Sequence, residues 1–161
     1  MIDYFDFYDL EKSLIPNPAT LRAKYYAIAR KFHPDHNAEE RAERMSAINN
    51  EAYNTLKDLQ PRLKHLLELA GVWEEKNTVP QDFLLEVMDI QEMIMEAKVD
   101  VNMMNAKRGE LIDRIKDIES TLDKQLKTIE SLDLKDKHQM QLLLNNYLKR
   151  RYLKRMQDNL I

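Results

Sequence analysis

The chain has 161 residues, of which 43% are hydrophobic and 33% charged, and it contains no cysteine. This mixture suits one moderate folded domain or two small ones, and the lack of cysteine excludes a thiolate metal or iron–sulfur site within the chain. It also fits a reducing compartment. No stretch reaches the roughly 18 apolar residues of a membrane span, and the acidic start resembles neither a secretory nor a transit peptide, so we expect a cytoplasmic protein.

The formal net charge of −3 hides two basic stretches. Residues 13–34 contain no acid, and their basic residues are Arg22, Lys24, Arg30 and Lys31. Residues 137–157 contain no acid either. Their C-terminal half carries a cluster of basic residues, which are Lys149, Arg150, Arg151, Lys154 and Arg155. Such faces can bind either phosphate or an acidic protein surface.

An all-α fold is predicted, because the chain has only two glycines and five prolines and is rich in helix-forming residues. Asn17 followed by Pro18 predicts a helix N-terminus. One packing face of this helix is predicted from helical spacing, and its members are Leu21, Tyr25, Ile28 and Phe32. Pro34 disfavours helical geometry at His33, so we expect the helix to end there and an exposed turn to run to about Asn37.

A second amphipathic helix is predicted from about Glu39 to Leu59, and a short third one from Leu63 to Ala70. Gly71 suits the left-handed residue that often follows a helix. The two long helices, joined by a short turn, are expected to pack antiparallel, with the aromatic segment from Tyr4 to Leu10 against their seam.

Thr78-Val79-Pro80 marks a boundary, after which three helical patterns cover roughly residues 81–98, 105–131 and 135–157. The middle pattern has a continuous apolar seam, which consists of Leu111, Ile115, Ile118, Leu122, Leu126 and Ile129. These patterns predict an antiparallel three-helix bundle.

The tripeptide His33-Pro34-Asp35 is by itself an ordinary turn. Its place between a basic amphipathic helix and a second helix with the run Ile48-Asn49-x-x-Ala52-Tyr53-x-x-Leu56 resembles a J domain. The resemblance implies docking onto a DnaK-class ATPase chaperone. The residues implied in this contact are His33, Pro34, Asp35, Arg22, Lys24, Arg30 and Lys31.

Within that resemblance, Asp35 is expected to make the charged contact, while His33 and Pro34 shape the loop. Many J domains carry a basic pair where this chain has Tyr26 and Ala27. This departure suggests a dedicated partner chaperone with a somewhat different acidic face.

A J domain followed by a short Leu-rich helix ending at Gly71 and then a helical bundle resembles the HscB family of iron–sulfur cluster co-chaperones. The resemblance implies an HscA-like ATPase chaperone and an IscU-like scaffold protein as partners. It implies a J domain over residues 1–74, a linker over 75–80 and a client-binding three-helix bundle over 81–161.

The first bundle helix has more apolar residues than one packing seam needs. At about 100° per residue, one set lies within roughly 40° of Phe83 and predicts the core stripe, which is Phe83, Val87, Ile90, Ile94 and Ala97. Leu84, Leu85, Met88 and Met95 lie on another side. This second face either packs inside the protein, as we expect most for Met95, or binds a partner.

The HscB resemblance implies a client-binding surface on the matching positions, which are Leu84, Leu85, Met88, Asp89, Glu92, Arg151 and Tyr152. For Arg151 and Tyr152 the alternative is a solvated basic face and a half-buried aromatic residue of the bundle.

No arrangement typical of an enzyme is found, so we predict neither catalysis nor a cofactor. A metal site formed by His33, Asp35 and His36 is disfavoured because the three residues are nearly contiguous. The basic stretch of the last helix leaves a nucleic-acid-binding protein as a rival, against which the net charge argues. A different client for the same J domain also stays open. We expect no nucleic-acid or membrane partner, and the surplus apolar residues are also compatible with a weak homodimer.

Overall fold

The computed structural model describes residues 1–33 and 40–160, and the chain divides into two compact units, Met1–Gly71 and Val72–Ile161. Every regular element in the described residues is an α-helix, which confirms the all-α prediction. The first unit contains α1 (Tyr4–Phe7), α2 (Pro18–Lys31), α3 (Glu40–Lys57) and α4 (Leu59–Leu69). The second contains α5 (Gln81–Glu86), α6 (Met88–Ala97), α7 (Val101–Lys127) and α8 (Lys137–Asp158). None of these helices is both long and apolar enough to cross a membrane.

Helix α2 begins at the predicted residue. The side-chain oxygen of Asn17 accepts hydrogen bonds from the amides of Ala19 and Thr20, both at 3.0 Å, and Pro18 occupies the first helical position. These bonds satisfy amides that have no partner within the helix. The local sequence therefore determines where the basic helix starts.

Buried Asn49 of α3 joins three segments of the first unit. The hydroxyl of Tyr8, just after α1, donates to the Asn49 backbone oxygen at 2.9 Å and to its side-chain oxygen at 2.7 Å. The Asn49 side-chain nitrogen donates to the backbone oxygen of Tyr25 in α2 at 3.0 Å. Because a buried amide without partners is costly, these bonds fix the relative position of α2 and α3.

Helix α4 begins four residues earlier than predicted, at Leu59 rather than Leu63. Pro61 is tolerated because it lies in the first turn, where the backbone nitrogen needs no partner within the helix. Gly71 has φ of +70°, which confirms its left-handed conformation.

The first bundle helix is interrupted, contrary to the prediction of one helix over 81–98. Buried Val87 separates α5 from α6 with φ of −99° and ψ of 2°, outside regular helical geometry. Helical backbone hydrogen bonds nevertheless continue across this residue. The Val87 amide donates to the backbone oxygen of Phe83 at 3.1 Å, and the backbone oxygen of Val87 accepts from the Gln91 amide at 3.0 Å. The interruption is therefore a single residue.

Helices α6, α7 and α8 pack in chain order and form the predicted bundle. Helix α7 runs from Val101 to Lys127, earlier at both ends than the predicted 105–131. Its earlier start is capped by the side chain of Asp100, which accepts from the Asn102 amide at 2.8 Å. One cluster of the buried core consists of Phe83, Val87, Ile90, Ile94, Leu111, Ile115, Leu122, Leu153, Met156 and Leu160. Of the predicted α7 seam, Ile118 and Ile129 are only half-buried, and Ile129 lies beyond the helix.

His65 is a buried histidine that acts as a hydrogen-bond acceptor. Its Nε2 accepts the Tyr4 amide at 3.2 Å, and its ring stacks on that of Tyr4 with centroids 4.5 Å apart. Burial lowers the pKa of His65 because the charged ring loses hydration, while Asp3 and Glu68 act in the opposite direction. The folded chain therefore favours the neutral ring.

We expect the first unit to lose stability as the pH falls below about 6.5, the ordinary histidine value. The unfolded chain binds the proton before the folded chain does, so the contribution of neutral His65 is complete above that pH and declines towards the lower folded pKa. Hydrogen exchange of α4 amides at several pH values measures this decline. His65→Gln keeps an acceptor but does not titrate, so it should flatten the profile, and an unchanged profile in this variant would contradict the assignment.

Candidate functional site

The basic side chains of α2 lie at the surface of the first unit. Arg22, Arg30 and Lys31 are exposed, and half-buried Lys24 has its Nζ 3.9 Å from the Asp9 carboxylate. Arg30 and Lys31 occupy the last turn, where positive charge is favourable beside the helix C-terminus. The basic face therefore extends to the end of α2, which the predicted loop follows in the sequence.

His33 is exposed and follows the C-terminal end of α2. Pro34 and Asp35 lie outside the described residues, as does His36 of the rival metal site. Among residues 1–33 and 40–160, no three or more His, Cys, Asp or Glu side chains form a group able to hold a metal ion.

Helices α5 and α6 have two apolar faces, and of the two alternatives left open for the second face, packed or exposed, the structure shows exposure. The buried side consists of Phe83, Val87, Ile90, Ile94 and Ala97. The exposed fractions are 40% for Leu84, 64% for Leu85, 53% for Met88 and 65% for Met95. We call these four residues the exposed apolar face.

The expectation that Met95 is packed is wrong. Met95 is seven residues after Met88, and at about 100° per residue the two lie within about 20° of each other on the helix. Glu92, which is exposed, lies on the same side between them. Met95 therefore extends the exposed apolar face by about two helical turns beyond Met88.

Asp89 is held by an ion pair at the side of this face. Its carboxylate accepts a hydrogen bond from Arg114 of α7, which also donates to the sulfur of Met93 at 3.1 Å. The hydrogen bond from Arg114 lowers the pKa of Asp89, so the carboxylate is charged at neutral pH. Asp89 thus joins α6 to α7, a role that its sequence pattern did not predict.

Tyr152 lies at the edge of the exposed apolar face. Its hydroxyl donates to the side-chain oxygen of Gln91, and its ring meets that of Phe83 edge-on with centroids 6.0 Å apart. Lys149, one turn earlier in α8, has its Nζ 5.2 Å from the Phe83 ring centroid. The structure therefore brings Tyr152 to α5 and α6, as the sequence interpretation required.

Arg151 points to a different set of groups. Its guanidinium carbon lies 5.4 Å from the Trp73 ring centroid and 5.8 Å from that of Tyr147, and its nitrogen donates to the Asn77 backbone oxygen at 3.1 Å. These contacts attach the segment before α5 to α8. Sequence periodicity could not reveal them, since Trp73 and Asn77 lie in a non-helical segment.

The basic stretch of α8 is largely paired within the chain. Arg150 donates to Asp123 at 2.5 Å and to Asn146 at 2.7 Å, and Lys154 pairs with Asp158 at 2.8 Å. Arg151 is likewise held against the rings of Trp73 and Tyr147. Several basic side chains of α8 are therefore occupied by contacts within the chain. These contacts argue against a continuous phosphate-binding strip.

Replacing Arg151 by Ala should lower the free energy of unfolding of the second unit by about 1–2 kcal/mol, through loss of the aromatic contacts and one hydrogen bond. Urea unfolding followed by the fluorescence of Trp73, the single tryptophan, measures this change. Exposed Arg155 of the same helix is the matched control, and Arg155→Ala should change the value by less than about 0.5 kcal/mol. Equal losses in both variants would contradict the contact.

Comparisons with known proteins agree with this architecture. Residues 79–160 match the family model of the HSCB C-terminal oligomerisation domain, and residues 3–65 match that of the DnaJ domain. The co-chaperone protein HscB homolog of Chromobacterium violaceum is 34% identical over 130 residues, which cover 75% of this chain and 74% of that protein.

An Arabidopsis thaliana relative, described as an iron-sulfur cluster co-chaperone protein HscB homolog, is 32% identical over 123 residues, covering 71% of this chain and 48% of the relative. The crystal structure of human co-chaperone protein HscB aligns with a TM-score of 0.76 at 24% identity. That alignment covers 99% of this chain and 80% of the human one, and it shows the shared fold.

Proposed function

The chain belongs to the HscB family of J-domain co-chaperones, and on this premise we propose that it joins a DnaK/HscA-class chaperone to an IscU-like iron–sulfur scaffold. The first unit stimulates the chaperone's ATPase, and the exposed apolar face of the second unit binds the scaffold. The observation that carries the scaffold-binding proposal is the division of α5 and α6 into a buried core stripe and an exposed apolar face.

On the chaperone side, the basic side chains of α2 supply charge for an acidic partner surface. The loop of His33, Pro34 and Asp35 then contacts the ATPase, with Asp35 providing the carboxylate. Stimulation requires that the hydrolysis-competent state of the chaperone bind this surface better than its resting state does. In this proposal the chain performs no covalent chemistry itself.

On the scaffold side, Leu84, Leu85 and Met88 supply adaptable apolar contact area. Glu92 lies within the same face, and Asp89 and Tyr152 lie at its sides. Flexible Leu and Met side chains beside fixed polar groups suit a protein partner. Arg151 holds the segment before α5 in place, and, being only half-buried, it stays part of the proposed scaffold-binding surface beside Tyr152.

The two surfaces together make the chain an adaptor. Binding of one partner raises the effective concentration of the other near it, so neither site needs very high affinity. The chain has no cysteine, and the cluster therefore stays on the thiolates of the scaffold.

We also propose that the chain acts in the cytoplasm and associates only weakly with itself. Its lack of cysteine supports the reducing compartment. Exposed Val99, in the turn between α6 and α7, and exposed Val101, the first residue of α7, support weak self-association. The ion pairs along α8 favour a protein partner over nucleic acid.

Asp35→Asn should reduce stimulation of the partner's ATPase about tenfold or more, because it removes one charge from an interfacial hydrogen bond while preserving side-chain shape. Steady-state ATP hydrolysis by an HscA-class chaperone measures the effect. Scaffold affinity, measured by calorimetry on the same variant, should be unchanged. Full stimulation by the variant would overturn the assigned role of the loop.

Replacing Leu84, Leu85 and Met88 together by Ala should weaken scaffold binding by roughly a hundredfold, since each truncation removes about 1 kcal/mol of contact energy. Titration calorimetry with the purified scaffold measures the affinity. The matched control replaces another exposed apolar set, Val99, Val101 and Met103, by Ala and should retain binding. The exposed apolar face would be excluded as the scaffold-binding site if its triple variant bound the scaffold like the unmodified chain. Equal losses of scaffold affinity in both triple variants would exclude it as well.

A further inference from the structure

The methionines of α6 differ in the access that solvent has to their sulfurs. Met88 and Met95 are 53% and 65% exposed on the exposed apolar face. Met93 is half-buried, and its sulfur accepts a hydrogen bond from Arg114 at 3.1 Å. An oxidant in solution therefore reaches Met88 and Met95 more easily than Met93.

The bundle core is protected from the same chemistry. Met140 and Met156 of α8 are buried. Oxidation of the exposed methionines can therefore proceed without placing a sulfoxide in the core, which would disrupt its packing. Met103 of α7 is also exposed, but it belongs to a different helix.

We propose that Met88 and Met95 form a reversible oxidation site that switches scaffold binding off. This inference rests on the proposed function of the exposed apolar face. In the reaction with hydrogen peroxide, a lone pair of the methionine sulfur attacks one peroxide oxygen. The S–O bond forms as the O–O bond breaks, the sulfur loses two electrons, and the transferred oxygen gives its proton to the leaving hydroxide, which departs as water.

The product weakens binding because it changes the character of the face. Methionine sulfoxide is polar, and its oxygen is desolvated without a hydrogen-bond donor wherever the partner surface is apolar. One such desolvated group is sufficient for about a tenfold loss of affinity. Peroxide produces both epimers of the sulfoxide, and the two methionine sulfoxide reductases, one for each epimer, restore the thioether and thus the apolar surface when supplied with a thiol reductant.

The chaperone-binding surface lacks this sensitivity. Helix α2 contains no methionine, and its proposed contacts are made by Arg22, Lys24, Arg30 and Lys31. With no cysteine in the chain, thiol oxidation cannot affect either surface. Oxidation therefore separates the two activities of the adaptor, leaving ATPase stimulation while the scaffold is released.

The test compares each protein with itself before and after hydrogen peroxide. The unmodified chain, the double variant Met88→Leu/Met95→Leu and the control Met103→Leu are treated alike, and sulfoxides are located by peptide mass spectrometry. Calorimetry then gives the ratio of dissociation constants for the scaffold. We expect a ratio of about ten for the unmodified chain and for Met103→Leu, and about one for the double variant. Treatment with both reductases should return the unmodified chain to its starting affinity, and ATPase stimulation should not change at any stage.

The outcomes separate this inference from the proposed function. If the untreated chain does not bind the scaffold, the proposed function fails, and this inference fails with it. If the untreated chain binds and sulfoxides at Met88 and Met95 leave its affinity unchanged, only the oxidation switch is overturned. An equal loss in the double variant would likewise overturn it, because the responsible residue would then lie elsewhere.

Discussion

Burial of one side of α5 and α6 is the constraint on which the proposed scaffold site depends. Phe83, Val87, Ile90 and Ile94 belong to the core that also contains residues of α7 and α8. Because a helix side chain keeps its angular position, burying these four residues sets the rotation of the helices. The rotation that buries these four residues leaves the exposed apolar face in solvent, namely Leu84, Leu85, Met88 and Met95. The face is a direct consequence of placing more apolar residues on a helix than its core accepts.

In the first unit, hydrogen bonds set the position of the helix that carries the proposed binding residues. Asn49 is buried and hydrogen-bonded to both Tyr8 and the backbone of Tyr25 within α2, so the position of α2 is set by directional hydrogen bonds. The apolar side of α2 faces inward, where Leu21 is buried, and the basic residues of α2 are left at the surface. One unit thus presents charge and the other presents apolar area, each on a helix that its own core orients.

Local signals predicted the helices well where capping or periodicity determines them. Asn17 and Pro18 located the start of α2, and the 3.6-residue period separated the two faces of α5 and α6. Features that depend on tertiary contacts were not predictable in this way. The interruption at Val87 has no Gly or Pro signal, and packing of Arg151 against Trp73 joins residues distant in sequence. Exposure of Met95 was mispredicted because a wheel gives the direction of a side chain but not what covers it.

The difference between the two surfaces determines how each can be regulated. Attraction between exposed charges weakens as ionic strength rises, with a screening length of about 8 Å at physiological salt. An apolar contact is much less sensitive to salt, but it is lost when its side chains become polar. An adaptor whose two sites used the same kind of contact would gain or lose both partners together. Placing charge on α2 and thioethers on α6 allows one partner to be released while the other is retained, and this follows from side-chain chemistry alone.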